Sequence, residues 1–303
     1  AGIQPGSRVY ERSWIRDGVL TAGALLRLGH AQEVREFLEW YAKFQFPNGK
    51  IPCVVDRRGA DPVPEHDSPG QFIHGVYEYY AFTRDERFLM EMFDHVRRAV
   101  AYIDSLRLLR TTEEYLEPGK RAYYGLLPES ISHEGYSAKP MHSYWDNFFA
   151  LRGLEDAARI ASAIGEKRQA EQFAQIESAF RRDLLTSLTL TIQEHGISYV
   201  PGCVELGDFD ATSTAIAANI GLDLRALPDP YYRNTFQRYY DFFTKRRNGE
   251  EPWEAYTPYE HRIANALIRL GEPERAHELI RWILNDRRPK EWNEWAEVVW
   301  RAY

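Results

Sequence analysis

Cysteine is close to absent from this chain of 303 residues, which has only Cys53 and Cys203. Neither sits in a CxxC or CxxH setting, so no zinc site is expected, and the spacing alone assigns no disulfide. Long apolar runs are missing too, and none approaches the roughly 20 residues that span a bilayer. No signal peptide is visible. The chain starts at Ala1 without methionine, however, so a removed upstream segment is compatible with the sequence. Basic charge is in deficit, with a net charge of -7. That argues against a nucleic-acid partner, which favours a surface able to displace counterions. Also lacking are GxGxxG, a P-loop, HExxH and a nucleophile elbow, and the histidines are scattered without metal-ligand spacing. Asp208 and Asp210 offer two acids where calcium takes roughly 6–8 oxygens. No cofactor and no metal are expected.

What is present is an ordinary globular composition, 44% hydrophobic and 27% charged, with an unusual aromatic content of 14% that includes 8 Trp and 19 Tyr. Helical periodicity is dense, over 14–28, 31–46, 70–82, 85–109, 142–163, 167–185, 211–221, 230–245, 258–270 and 273–286. No series of strands stands out, although the Thr/Leu/Ile run near 186–200 suits one hairpin. "LRLGHAQEV" (26–34), "SAIGEKRQA" (162–170) and "IRLGEPERA" (268–276) each stop an apolar helix at glycine and start a charged one. "AFTRDERFL" (81–89) does so without glycine. Glycine accepts the left-handed conformation that ends helices, and such tight joins produce antiparallel pairs. Longer connections at 47–69, 110–141, 186–210, 246–257 and beyond 287 alternate with these short ones. The first helix of each pair is rich in Ala, Gly and aromatics, and the second is more charged. The pattern predicts an all-α, (α/α)6 toroid of six helical hairpins as a single domain over 1–303. The long loops, all with acids and aromatics, then gather at one end. About eleven helices are countable where twelve close such a ring. The sixth inner helix is therefore expected at 292–303 or beyond Tyr303, in which case the chain is a fragment.

Several loop-end residues are suited to a sugar. Trp14, Arg16 and Asp17 fall in "SWIRDG", at the first turn of the first inner helix. There a carboxylate accepts from sugar hydroxyls and a guanidinium donates to them; the plainer alternative is that Asp17 faces the helix N-terminus. "HSYWDNFFALRGL" (142–154) puts Trp145 and Asp146 at the start of the third inner helix, with helix capping as the alternative. "PEHDSPGQF" (64–72) adds Glu65, His66 and Asp67, and "LPESISHEGY" adds Glu129, His133 and Glu134. "PWEAYTPYEH" (252–261) adds Trp253, Glu254 and Tyr256. For Asp67, Asp210 and Thr257 taken singly, helix capping is the favoured explanation over catalysis.

The "SWIRDG" segment resembles the Trp-x-Arg-Asp motif of glucoamylase-like and trehalase-like six-hairpin glycosidases. The resemblance implies that Arg16 and Asp17 hold the terminal sugar. It also implies that Asp146, after Trp145, is the general acid, because a Trp-acid step supplies it in those enzymes. Tyr144 stands where the family usually has a small residue. The base is implied late in the chain, in "KEWNEWAEVVW" (290–300), with Glu294 the central choice. The reading is then an inverting hydrolase of a terminal sugar, an α-glucoside, with Asp146 and Glu294 as catalytic carboxyls. Trp14, Arg16, Asp17, His66, Asp67, Glu129, Trp145, Trp253 and Tyr256 would bind an oligosaccharide or glycoside. Two alternatives stand beside it. One is a sugar epimerase or polysaccharide lyase using His66, His133 or Tyr256, and the other is a non-enzymatic solenoid of helical pairs.

Overall fold

The computed structural model describes residues 2–5, 11–288, 290–291 and 295–301. The chain divides into two compact units, residues 1–187 and 188–303.

The first unit holds three helical hairpins. They pair α1 (Ile15–Arg27) with α2 (Ala31–Ala42), α3 (Ser68–Thr83) with α4 (Glu86–Leu108), and α5 (Tyr144–Ala163) with α6 (Lys167–His195), whose end passes into the second unit. Gly29 and Gly165 stop α1 and α5 at φ 88 and 81. The hairpin without glycine turns through Arg84, at φ 59. Asp85 then caps α4 by accepting from the Phe88 amide at 3.0 Å. The expected difference between the helices of a pair is visible. The first turns of α3 and α5 are buried on every side, while α2 and α4 bury only one face each. Helices α3 and α5 approach closely because Gly70 and Gly153 meet at their crossing. A Cβ on Gly70 would lie 2.2 Å from the Phe149 carbonyl oxygen, and one on Gly153 would lie 2.7 Å from the Gly70 Cα.

The 47–69 connection is not structureless. Strand β1 (Ser13–Trp14) pairs antiparallel with β2 (Val54–Asp56), which pairs with β3 (Gly59–Ala60). Lys50 fastens the next stretch, since its buried ammonium donates to the carbonyls of Pro62 and Val63 at 2.5 and 2.7 Å. Those carbonyls precede Glu65, so the lysine fixes the chain just before it enters α3.

The second unit contains α7 (Ala211–Thr214) and α8 (Ile216–Asn219), then α9 (Tyr231–Asn248), α10 (His261–Arg269) and α11 (Pro273–Asn285). Helices α7 and α8 together cover the predicted 211–221. Gly271 ends α10 at φ 84, as its punctuation predicts. Strand β4 (Ala255–Tyr256) pairs with β5 (Val299–Trp300).

Two expectations are corrected. The run near 186–200 is not a hairpin. It continues α6 as far as His195, because Leu184, Leu188 and Ile192 are buried at helical i, i+4 spacing. Nor is the end of the chain a sixth inner helix in its described part. Trp300 pairs with Ala255 and Val299 with Tyr256, an arrangement that suits a short Val-Trp strand. Both cysteines are buried, and neither forms a disulfide among the described residues. No helix among the described residues is long and apolar enough to cross a membrane.

Two substitutions test this framework. Gly70→Ala should cost about 2–3 kcal/mol, read as a lower denaturant midpoint at unchanged slope, because a backbone carbonyl rather than a movable side chain blocks the methyl. Lys50→Met should cost about 1–3 kcal/mol by removing the donor of the Pro62 and Val63 carbonyls. A midpoint equal to wild type in either variant would show that the contact does not constrain the fold.

Candidate functional site

In the first unit, three helix N-termini bring their acids together. Arg16 and Asp17 lie in the first turn of α1, which is aligned by β1 and by the Ile15 amide donating to the Cys53 carbonyl at 3.0 Å. Asp67 immediately precedes α3, and Asp146 lies in the first turn of α5. Glu65, Asp67 and Asp146 are all nearly inaccessible, at 1%, 0% and 1% exposure.

Arg16 is the cation among them. It contacts Glu65 at 3.2 Å, Asp67 at 4.0 Å and Asp17 at 3.8 Å. Burial works against its charge, but Asp67, Glu65 and Asp17 outweigh burial and hold the guanidinium protonated more firmly than usual. Asp67 accepts from the Trp145 indole at 2.7 Å, the Gln71 amide at 2.7 Å and the Ser68 hydroxyl at 3.2 Å. Asp146 accepts from Ser130 at 2.5 Å and Ser132 at 2.7 Å. Burial and the neighbouring Asp67 charge nevertheless push the Asp146 carboxyl well above the usual carboxylate range, against the pull of both serines. Burial and Asp67 push Glu65 upward as well, with Arg16 opposing.

The two serines come from a contorted loop. Ser132 and Glu134 both have positive φ, 48 and 65, without being glycine. Ser130 is held in register by an antiparallel bridge to Met141. Non-glycine residues in this conformation are costly and gather where surrounding structure has a use for them. Here the bend delivers two hydroxyls to Asp146 and puts exposed Glu134 where its charge reaches Arg16 and Glu65.

The remaining predicted residues differ in their surroundings. His66 is buried, and burial followed by the Lys50 charge lowers it to about 4, so its ring is neutral. Its Nδ1 has no partner among the described residues. Glu129 is half exposed and joins Arg110, which also donates to the His142 ring at 3.1 Å. Trp145 is buried and serves Asp67 through its indole N–H, with His133 against its ring at 4.8 Å. Trp14 is 7% exposed and packs on Cys53, Val54 and Val63, so it stabilises the strand that holds Arg16.

In the second unit, Trp253 stacks on Trp282 at 3.9 Å, and the guanidinium of Arg246 lies 4.3 Å from its ring centre. Its flat faces are thus occupied by protein. Tyr256 is buried in β4 and donates to the Asp286 carbonyl at 3.0 Å. Glu291 and Glu297 are exposed, and Glu294 lies outside the described residues.

Sequence reasoning placed Arg16, Asp17, Asp67 and Asp146 at helix starts, and the structure brings them together. It offers Glu65 among the loop acids suited to a sugar but leaves it out of the chosen binding set, although Glu65 and Asp67 stand two apart in an extended segment. It also missed Ser130 and Ser132, whose i, i+2 spacing was the only available signal, and Gln71, which read as ordinary helix.

Residues 2–114 match the family model for amylo-alpha-1,6-glucosidase. Trehalase 1 of Sulfolobus acidocaldarius is 22% identical over 317 residues, covering 91% of this chain and 49% of that protein. The chain thus spans about half the length of this relative. Among solved structures, a GH63 mannosylglycerate hydrolase from Thermus thermophilus aligns over 93% of this chain and 86% of its own, with TM-score 0.60 and 12% identity. An uncharacterized conserved protein from the same organism aligns over 98% and 90%, with TM-score 0.62 and 12% identity. A GH78 family rhamnosidase of a Bacillus species aligns over 90% and 26%, with TM-score 0.61 and 14% identity. The chain carries the predominantly helical fold of the six-hairpin glycosidases, and its sequence is similar to members of that superfamily.

Proposed function

We propose that this chain is the catalytic part of an inverting glycoside hydrolase that removes a terminal sugar, with an α-glucoside as substrate. The observation that carries the reading is the meeting of Arg16 with buried Glu65 and Asp67, whose charges in turn reach buried Asp146 at the start of α5. Arg16 and Asp17 bind the hydroxyls of the terminal sugar, since a guanidinium offers only donors and a carboxylate only acceptors. Asp146 protonates the glycosidic oxygen. Its burial supports that role, because a carboxyl kept neutral toward physiological pH is what a general acid requires. Glu294 is the carboxylate that activates water, on the strength of the family resemblance. Two sequence relatives, an amylo-alpha-1,6-glucosidase family and a trehalase, bear names that point to α-glucosides. The neutral, buried His66 ring favours carboxyl chemistry over a histidine-based epimerase.

Hydrolysis of trehalose and of aryl α-glucosides by the protein and by Asp146→Asn tests the assignment. The variant should lose about 10²–10⁴-fold in kcat, the usual worth of a positioned general acid. Unchanged turnover would remove Asp146 from that role. Proton exchange at a sugar carbon without hydrolysis would place the chain with the epimerases. The β-anomer should be the first glucose released, by nuclear magnetic resonance, if inversion is correct.

The pH dependence has a definite sign. Asp146 acts in its neutral form and its pKa is raised, so kcat/KM should fall as pH climbs through that raised value and not in the ordinary acidic carboxylate range. A profile without this alkaline limb would contradict the assignment. Arg16→Met should raise KM at least about tenfold, because it removes the sugar's donor.

A further inference from the structure

Three carboxyls, Glu65, Asp67 and Asp146, are buried within reach of one another's charge, and hydrogen-bond support is distributed unequally among them. Asp67 receives three hydrogen bonds, from Trp145, Gln71 and Ser68. Gln71 directs its amide N–H to Asp67, while its own carbonyl oxygen, equally buried, has no partner among the described residues. Asp146 receives the hydroxyls of Ser130 and Ser132, with the His66 backbone amide as a further donor. Glu65 has one side-chain hydrogen-bond partner among the described residues, Arg16 at 3.2 Å.

The charges facing Glu65 make the imbalance sharper. From α1 comes Arg16, itself in contact with Asp17, from its own segment Asp67, from α5 Asp146, and from the 130–136 loop Glu134. Lys50 is the second cation of the neighbourhood, but its N–H groups go to two carbonyls. Tyr41 and the Cys53 thiol also feel the Glu65 charge, and both stay neutral through burial. With Asp146 neutral as the general acid, ionised Glu65 and Asp67 would still leave excess negative charge out of water beside an Arg16 that Asp17 also engages. That is far costlier than retaining a second proton. Of Glu65 and Asp67, the proton stays on Glu65, which has the fewer donors.

We infer that Glu65 is the resident neutral acid of this nest and a positioning residue for Arg16, holding the guanidinium by hydrogen bonding without adding negative charge beside Asp146. In this form it leaves the Arg16 charge for Asp67, Asp17 and the sugar. The inference rests on the hydrolase reading for its consequence in turnover, but not for the protonation state itself.

The test therefore has two arms. Infrared spectra of the protein at neutral pH, with glutamate carboxyls carbon-13 labelled, read protonation without substrate. Among the described residues the other buried glutamate is Glu260, which is paired with Arg246 at 2.9 Å. A buried neutral-acid carbonyl band that shifts with labelled glutamate is the expected result. A spectrum without such a band, or with a band that shifts only with labelled aspartate, overturns the inference. In the second arm, Glu65→Leu should raise KM about tenfold or more, while Glu65→Gln, which keeps the shape and the acceptor, should restore most of that loss. The alkaline limb of kcat/KM should keep its position in Glu65→Gln. Movement of that limb to lower pH would mean that Glu65 carries charge in the native protein, and would overturn the inference. If the protein hydrolyses no glycoside, the proposed function fails while the infrared arm still decides the protonation of Glu65.

Discussion

The contact between Arg16 and the buried acids around it is the constraint on which the rest of the first unit depends. A guanidinium withdrawn from water needs carboxylates, and carboxylates withdrawn from water need donors. The fold supplies both by starting three helices at one place. Helix α1 brings Arg16 and Asp17, α3 brings Asp67, and α5 brings Asp146 with the indole of Trp145. The close α3–α5 crossing makes this convergence possible, because Gly70 and Gly153 let the two backbones meet one turn and two turns beyond those acids. Packing and chemistry are therefore linked through two residues that carry no side chain.

Surrounding features make sense as supports for that nest. The β1–β2 pairing sets the angle at which the chain enters α1, and Trp14 seals it against Cys53, Val54 and Val63. Lys50 tethers the segment just before Glu65, and the bent 130–136 loop delivers Ser130 and Ser132 to Asp146. These supports are neutral donors or a lysine directed at carbonyls. Donors of that kind orient carboxyls without cancelling the charge relationships that push Asp146 and Glu65 upward.

The sequence made the helical-hairpin plan readable because its signals are local. Gly29, Gly165 and Gly271 each sit at a positive φ that glycine tolerates, and the apolar stripes repeat at helical spacing. Arg16, Asp17 and Asp146 were legible for the same reason, as acids and a base at helix starts. The failures were non-local. The 186–195 segment reads as strand by its β-branched residues, yet burial of Leu188 and Ile192 at i, i+4 decides for helix. Val299 and Trp300 form a strand because Ala255 and Tyr256, distant in sequence, offer a partner edge. Trp253 looked like a sugar platform, but its stacking on Trp282 depends on a residue 29 positions away. Glu65 was one loop acid among several until folding set it against Arg16, and the two serines became site residues only when folding placed them beside Asp146.

The central claim is that the carboxyl nest around Arg16 receives a terminal sugar. Its most direct test is the indole N–H resonance of Trp145, followed by nuclear magnetic resonance while a cationic imino sugar is added. Because that N–H donates to Asp67, which also faces Arg16, a ligand entering the nest must alter it. A saturable shift of the Trp145 resonance, lost in Arg16→Met, is the predicted result. Saturable binding that leaves the Trp145 resonance unmoved would contradict the account.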